Sequence, residues 1–292
     1  MFGEEWALML FTLLTQLAVG AFIILIVVRS ILAKKADPKM AAQITDFGIT
    51  AIGPVMAVSL LVSLFHLGSP LIAFRSLGNL RTSWLSREIF FSGLFFFLWL
   101  GQYCLSKKQD VGQGIRLITS LAGLLAIISM AGIYGASIKP AWADVNTLIT
   151  FLGTTFFLGS IGVTASVAYV LRGKEISGDV LSLLHKTSLV ALIALAVQLI
   201  YLPVYFTGLA SGGPAAQASA QLLSGAYAFP TMLRWILSIA GGTVVLCTLH
   251  KVGKKANIIP VNMVYVGLAI ALLGEVIGRY IFYVSAVSIM VG

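Results

Sequence analysis

Apolar residues in this chain do not alternate with polar ones. They run on without interruption, stop at a short polar stretch, and begin again. A hydrocarbon core about 30 Å thick is crossed by roughly 20 helical residues. Eight runs suit that length, over 6–32, 47–65, 89–105, 117–138, 145–171, 187–206, 227–249 and 259–287. Continuous runs exclude a membrane barrel, whose strands alternate, and an open sheet cannot satisfy its backbone in lipid. The pattern therefore predicts an all-α integral membrane protein, a single domain over 1–292 built as a bundle of eight transmembrane helices.

Composition agrees. Hydrophobic residues make up 59% of the 292 positions and charged residues only 10%, with a mean hydropathy of +1.01, far from the balance of a soluble domain. The net charge of +9 would suggest a nucleic-acid partner in a soluble protein, but here topology accounts for it. The connections after the first, third, fifth and seventh runs (RSILAKKADPKM, SKKQDVGQGIR, RGKEISGDVLSLLHK and HKVGKKAN) hold 13 of the 19 Lys and Arg residues. By the positive-inside tendency they face the cytoplasm, which puts both termini on the outer side, the periplasmic side in a bacterium. The longest outer connection, TGLASGGPAAQASAQLLSGA, is uncharged and reads as a flexible or docking loop. Cys104 and Cys247 have no metal-ligand spacing and read as reduced core residues. The acidic start, MFGEEWALMLF, leads into a run too long for a cleavable leader.

One outer connection breaks the charge rule. Between the second and third runs lies HLGSPLIAFRSLGNLRTSWLSRE, from His66 to Glu88, with Arg75, Arg81 and Arg87 on the side that should be poor in positive charge. Arg234, near the outer start of the seventh run, and Glu275 and Arg279, toward the outer end of the eighth, share that half of the membrane. Each charge at membrane depth costs roughly 2.5–3.5 kcal/mol on insertion scales, so such groups pair internally or line a cavity. A one-sided cluster predicts a pocket for a lipid-soluble electron donor. Quinol oxidation needs partners for two ring oxygens, a base of near-neutral pKa, and a carboxylate that relays protons to water. His66 and Glu88 suit those roles. Each residue also has a structural explanation. His66 can snorkel at a helix end, and Glu88 can complement a helix dipole behind a Ser83 or Ser86 cap. Glu275 and Arg279, at i and i+4, can pair with each other, and the arginines can bind lipid phosphate or an acidic partner surface.

The segment FHLGSPLIAFRSLGNLRTSWLSREIFFSGLF, with the start EEWALMLFTLLTQLAVGAF, resembles the membrane anchor subunit of dimethyl sulfoxide reductase and its relatives. The resemblance covers essentially the whole chain. It implies a three-subunit complex of anaerobic respiration. In such a complex a catalytic subunit carries molybdenum bis(guanylyl molybdopterin), a second subunit carries four [4Fe-4S] clusters, and the haem-free anchor oxidises menaquinol. It also implies that His66 and the acid opening the third run, Glu88, bind quinol. Arg75, Arg81, Arg87, Arg234, Glu275 and Arg279 join them by placement alone, as quinol-site or partner-docking residues. With three histidines in all, the bis-histidine arrangement left for a haem is His185 with His250. Without haem or cysteine ligands the anchor has no internal wire, so quinol and the partner's nearest cluster must share one side. Two other classes remain open. A secondary transporter or channel would use the charged cluster as a gate, although internal repeats and central charges are not evident. A purely structural anchor would only tether its partners.

Overall fold

The computed structural model describes residues 2–65, 78–106, 112–255 and 258–289. His66 and Arg75 fall outside the described residues. Nine helices are present among the described residues, with no strand: α1 Phe2–Lys35, α2 Pro38–Ser63, α3 Trp84–Ser106, α4 Gln113–Gly135, α5 Val145–Val170, α6 Gly178–Ser211, α7 Pro214–Ser224, α8 Ala228–Lys255 and α9 Val261–Val284. Eight of them, all but α7, are long and apolar enough to cross a membrane.

Short polar side chains start several of these helices by accepting a backbone N–H that the first turn leaves free. Asp37 accepts from Lys39 N at 3.2 Å, with Pro38 in the first helical position of α2. Asp144 accepts from Asn146 N at 2.7 Å to start α5, and Ser177 accepts from Val180 N at 3.4 Å to start α6. At α3 the cap is Ser83, which accepts from Ser86 N at 3.2 Å. Glu88 therefore lies beyond the first turn of α3 and faces the interior.

The helices outrun the apolar stretches that predict them. At 1.5 Å per residue α1 is about 51 Å long, well over the thickness of the hydrocarbon. Hydropathy marks the part of a helix that needs lipid, and α1 continues beyond it into the basic residues Lys34 and Lys35 of its last turn. α2 likewise starts at Pro38, ahead of its apolar run.

α1 and α5 form the centre. Of their most apolar stretches, 72% and 67% of residues are buried, against 22% for α3. They cross where Gly20 meets Gly159, and a Cβ on either glycine would land on the backbone of the other helix. Small residues permit this approach, and dispersion between the two backbones then holds it. A core of large side chains surrounds the crossing, including Phe22, Phe95, Phe151 and Phe157. On the flank, Trp99 of α3 packs flat over Gly53 and donates its indole N–H to Ile49 O at 2.7 Å, fastening α3 to α2.

Two expectations change. The connection read as a flexible or docking loop contains α7, whose Ala216, Ser219 and Leu223 are buried at helical spacing. Both cysteines are exposed on the outside of the bundle rather than in its core, because they lie on the lipid-facing sides of α3 and α8. Of the remaining histidines, His185 is half-buried on α6 and His250 is exposed on α8.

Candidate functional site

The last residue of α2, the first of α3 and the last of α9 lie at one end of the bundle, together with the start of α1. Glu88 is buried there, at 5% exposure. Its charge is within electrostatic reach of Tyr134, next to the last residue of α4, and Tyr283, next to the last residue of α9. The two phenol oxygens are 2.7 Å apart, and Thr12 of α1 lies near Tyr283. The α4–α5 connection closes over them. Trp142 donates its indole N–H to Phe282 O at 2.7 Å, and Tyr205 donates to Ala141 O at 3.0 Å.

One turn below Tyr283, Arg279 is buried at 3% exposure. Its Nη2 donates to Gln16 Oε1 at 2.7 Å, and Gln16 Nε2 in turn donates to Phe151 O at 3.2 Å. The guanidinium lies 4.0 Å from the ring centre of Phe151 and 5.6 Å from that of Phe282. A buried cation over aromatic faces recovers part of its lost hydration from the ring quadrupoles. Its field also acts on both tyrosines and on Glu275.

Glu275 forms a deeper layer. It lies about 14 Å below the end of α9, and Thr154 and Ser238 lie at similar depths from the starts of α5 and α8, at 1.5 Å of rise per residue. Thr154 Oγ1 donates to Glu275 Oε2 at 2.6 Å and Ser238 Oγ donates to Oε1 at 2.9 Å. Arg234 Nη2 stands 3.8 Å from Oε2 and donates to Gln198 Oε1 at 2.9 Å, while its guanidinium lies 4.0 Å over Trp235. Glu275, at 2% exposure, thus pairs with Arg234 and not with its neighbour on α9. The structural pairing expected between Glu275 and Arg279 is replaced by partners on other helices, Arg234, Thr154 and Ser238 for Glu275 and Gln16 for Arg279.

The residues singled out by sequence separate into three groups. Glu275, Arg279 and Arg234 are drawn into a polar seam through the end of the bundle, and Glu88 is buried within electrostatic reach of its tyrosines. Arg87 turns away from it. Its Nε donates to Leu80 O at 2.9 Å and its Nη2 to Arg81 O at 2.6 Å, and it lies 4.3 Å over Trp84, so it pins the turn before α3. Arg81 is exposed and contributes its carbonyl to that turn. His66 and Arg75 belong to the segment outside the described residues.

Sequence reasoning missed the uncharged half of the seam: Gln16, Thr154, Gln198, Ser238 and the Tyr134–Tyr283 pair. One signal was available. Thr12, Thr15 and Gln16, at i, i+3 and i+4, form a polar stripe inside the most apolar run of the chain, and all three are buried. Polar side chains in lipid-spanning helices face inward when they have partners. Among the described residues no group of three or more His, Cys, Asp or Glu gathers as a metal site. What the seam offers is carboxyl and hydroxyl groups in series, beside two guanidinium charges, inside an apolar bundle.

Comparison with known proteins adds a family. The model of the DMSO reductase anchor subunit (DmsC) family matches residues 2–284. Anaerobic dimethyl sulfoxide reductase chain YnfH of Escherichia coli is 30% identical over 284 residues, covering 96% of this chain and 94% of the relative. The C subunits of the anaerobic dimethyl sulfoxide reductases of Escherichia coli and Haemophilus influenzae are 27% and 28% identical over 290 and 285 residues, again covering 96% of the present sequence and 94% of each relative.

Proposed function

The chain belongs to the DMSO reductase anchor subunit family, and from that premise we propose that it oxidises menaquinol at the Glu88 end of the bundle and delivers the electrons to an iron-sulfur partner. The observation that carries this reading is the buried carboxyl of Glu88 within electrostatic reach of the hydroxyl pair of Tyr134 and Tyr283, which the Arg279 guanidinium also influences. Oxidation of a quinol to a quinone releases two electrons and two protons. His66 takes the proton of one ring hydroxyl. Glu88 takes or relays the other and returns to its carboxylate form by release to water at the same end. Such transfers by positioned side chains are worth about 10²- to 10⁴-fold in rate.

The remaining residues serve this step by position. Arg279 holds positive charge next to the phenols, favouring transient negative charge on a ring oxygen. Gln16 and the faces of Phe151 and Phe282 fix the guanidinium so that little reorganisation accompanies the reaction. The Glu275 and Arg234 layer closes the seam below with its own charges compensated. The electrons leave to the nearest [4Fe-4S] cluster of a four-cluster subunit and then to a molybdenum bis(guanylyl molybdopterin) subunit that reduces the terminal acceptor. The protein sits in the bacterial inner membrane with both termini outward. Protons and electrons then leave on one side, and turnover moves no charge across the membrane.

Titration of the purified complex with a quinol-analogue inhibitor tests the site. Glu88→Gln is expected to weaken inhibitor binding about two- to tenfold, since a hydrogen bond is worth about 0.5–1.5 kcal/mol, while the subunits remain assembled. Undiminished binding in an assembled Glu88→Gln complex contradicts the proposal and leaves a purely structural anchor.

A further inference from the structure

Two tryptophans tie helix ends together at the Glu88 end of the bundle, and each carries a cation. Trp84, the first residue of α3, packs across Gly132 in the last turn of α4, and the Arg87 guanidinium lies 4.3 Å over its ring. Trp142, in the α4–α5 connection, lies edge-on to Tyr134 of α4 and stacks on Phe282 of α9, with ring centres 5.0 and 5.4 Å apart. Lys139 Nζ stands 3.9 Å over the same indole. Arg81 is exposed in the turn that Arg87 pins. Among the described residues no ion pair joins Arg81, Arg87 or Lys139 to an acid. Of the described acids at this end, Glu88 and Glu275 are buried, Asp144 caps α5, and Glu5 lies on α1 within electrostatic reach of Tyr280.

By the positive-inside tendency this end should be poor in cations, and a merely solvated face gives no reason to hold two of the three on aromatic rings. A side chain held that way gives up less freedom when a partner arrives. Lipid phosphate does not explain Lys139, because headgroups surround a bundle whereas Trp142 covers the buried tyrosines at the ends of α4 and α9. Apolar surface lies beside the cations. Ile138 and Ile289 are 64% and 50% exposed, and the Ile289 N–H donates to Ile138 O at 3.4 Å. A cleft of about 710 Å³ continues from Ile289 between Pro140, Gly212, Pro214 and Val287. An apolar centre with a charged rim is how protein interfaces are built. We propose that this face docks an acidic surface of a water-soluble protein subunit, with Arg81, Arg87 and Lys139 as its rim and Ile138 and Ile289 at its centre. The surface is independent of the proposed function, but the identity of the occupant rests on it: the subunit docked here is the iron-sulfur partner. Lys139 and Tyr134 both lie against the Trp142 ring, so a subunit seated on Lys139 stands close to the phenol pair.

The test reads association and not turnover. The assembled complex, purified in mild detergent, is treated with a carbodiimide, which joins a lysine amine to a carboxylate in direct contact with it. The expected product links Lys139 to an Asp or Glu of the iron-sulfur subunit and is located by peptide mass spectrometry. Lys139→Arg keeps the charge, so it should keep the partner and lose that product. Arg81→Glu/Lys139→Glu should retain about a tenth of the partner or less, because like charges facing each other across an interface are strongly unfavourable, with the chain itself present in membranes at the wild-type level. Lys174→Glu/Lys186→Glu, which reverses two charges at the opposite end, should retain the partner in full. Absence of a Lys139 product from the assembled wild-type complex overturns the surface, as does a wild-type amount of partner on Arg81→Glu/Lys139→Glu. Loss of bound phosphatidylglycerol from an otherwise intact Arg81→Glu/Lys139→Glu complex overturns it in favour of lipid. If the Lys139 product forms while Glu88→Gln leaves quinol-driven cluster reduction unchanged, the docking face stands and the quinol site fails.

Discussion

Replacing Glu275 by alanine removes a carboxylate that accepts two hydroxyl hydrogen bonds and compensates Arg234. Breaking a buried pair from one side costs about 3–5 kcal/mol, because the other charge stays buried without compensation. A clear drop in the thermal unfolding midpoint of Glu275→Ala in detergent is the expected result. Glu88→Gln is isosteric, and its expected signature is the opposite: an unfolding midpoint at or above that of the wild type, with quinol-driven turnover lowered about 10²-fold or more. Charge made Glu88, Glu275, Arg279 and Arg234 legible in the sequence, since a lone ionisable residue within an apolar run demands a reason. Their partners were not legible. Gln16 meets Arg279 across 263 positions and Thr154 meets Glu275 across 121, and nothing local in either neighbourhood announces the meeting. The pairing of Glu275 with Arg234 instead of Arg279 follows from the same fact: the helix crossing decides which side chain is nearest.

Helix crossings rest on the smallest residues. Gly20→Leu or Gly159→Val would drive side-chain atoms into the backbone of the facing helix, and no rotamer can relieve a collision at Cβ. The expected outcome is loss of accumulated protein, measured by quantitative immunoblot of membranes. Gly101→Ala, on an open face of α3 where a Cβ meets nothing, should leave the level unchanged. Asp144→Ala should cost about 1 kcal/mol through loss of the α5 cap, read as a small shift of the unfolding midpoint. The eight spans were readable because lipid forces every backbone group into a helix, so apolar length alone identifies them. Their ends were not, since α1 and α2 continue into water beyond the apolar signal. α7 escaped because its Ala, Gln and Ser residues form no apolar run, and its register is set by packing beneath it. The exposed cysteines show the reverse error. In water a small apolar residue belongs inside, but in lipid the outside is equally hospitable.

Among the described residues, charge and chemistry occupy opposite ends: a basic end, and an end where Glu275 is matched by Arg234 and Arg279 is held by Gln16. Orientation follows if the basic end faces the cytoplasm. On a Cys104→Ser/Cys247→Ser background, Ser224→Cys should react with a membrane-impermeant maleimide in intact spheroplasts, and Lys174→Cys only after permeabilisation. The proposed electron path makes a stricter demand, since it requires quinol to be oxidised at the closed end, within reach of the partner's first cluster. The decisive measurement is the rate at which added menaquinol reduces the iron-sulfur clusters of the assembled complex in membranes, for wild type, His66→Ala and Glu88→Gln. A low-potential chemical reductant serves as control for the clusters themselves. The account predicts that both variants assemble, that the chemical reductant fills their clusters as in the wild type, and that quinol-driven reduction falls by about two orders of magnitude. Quinol-driven reduction at the wild-type rate in both variants would contradict it and place the donor elsewhere on the complex.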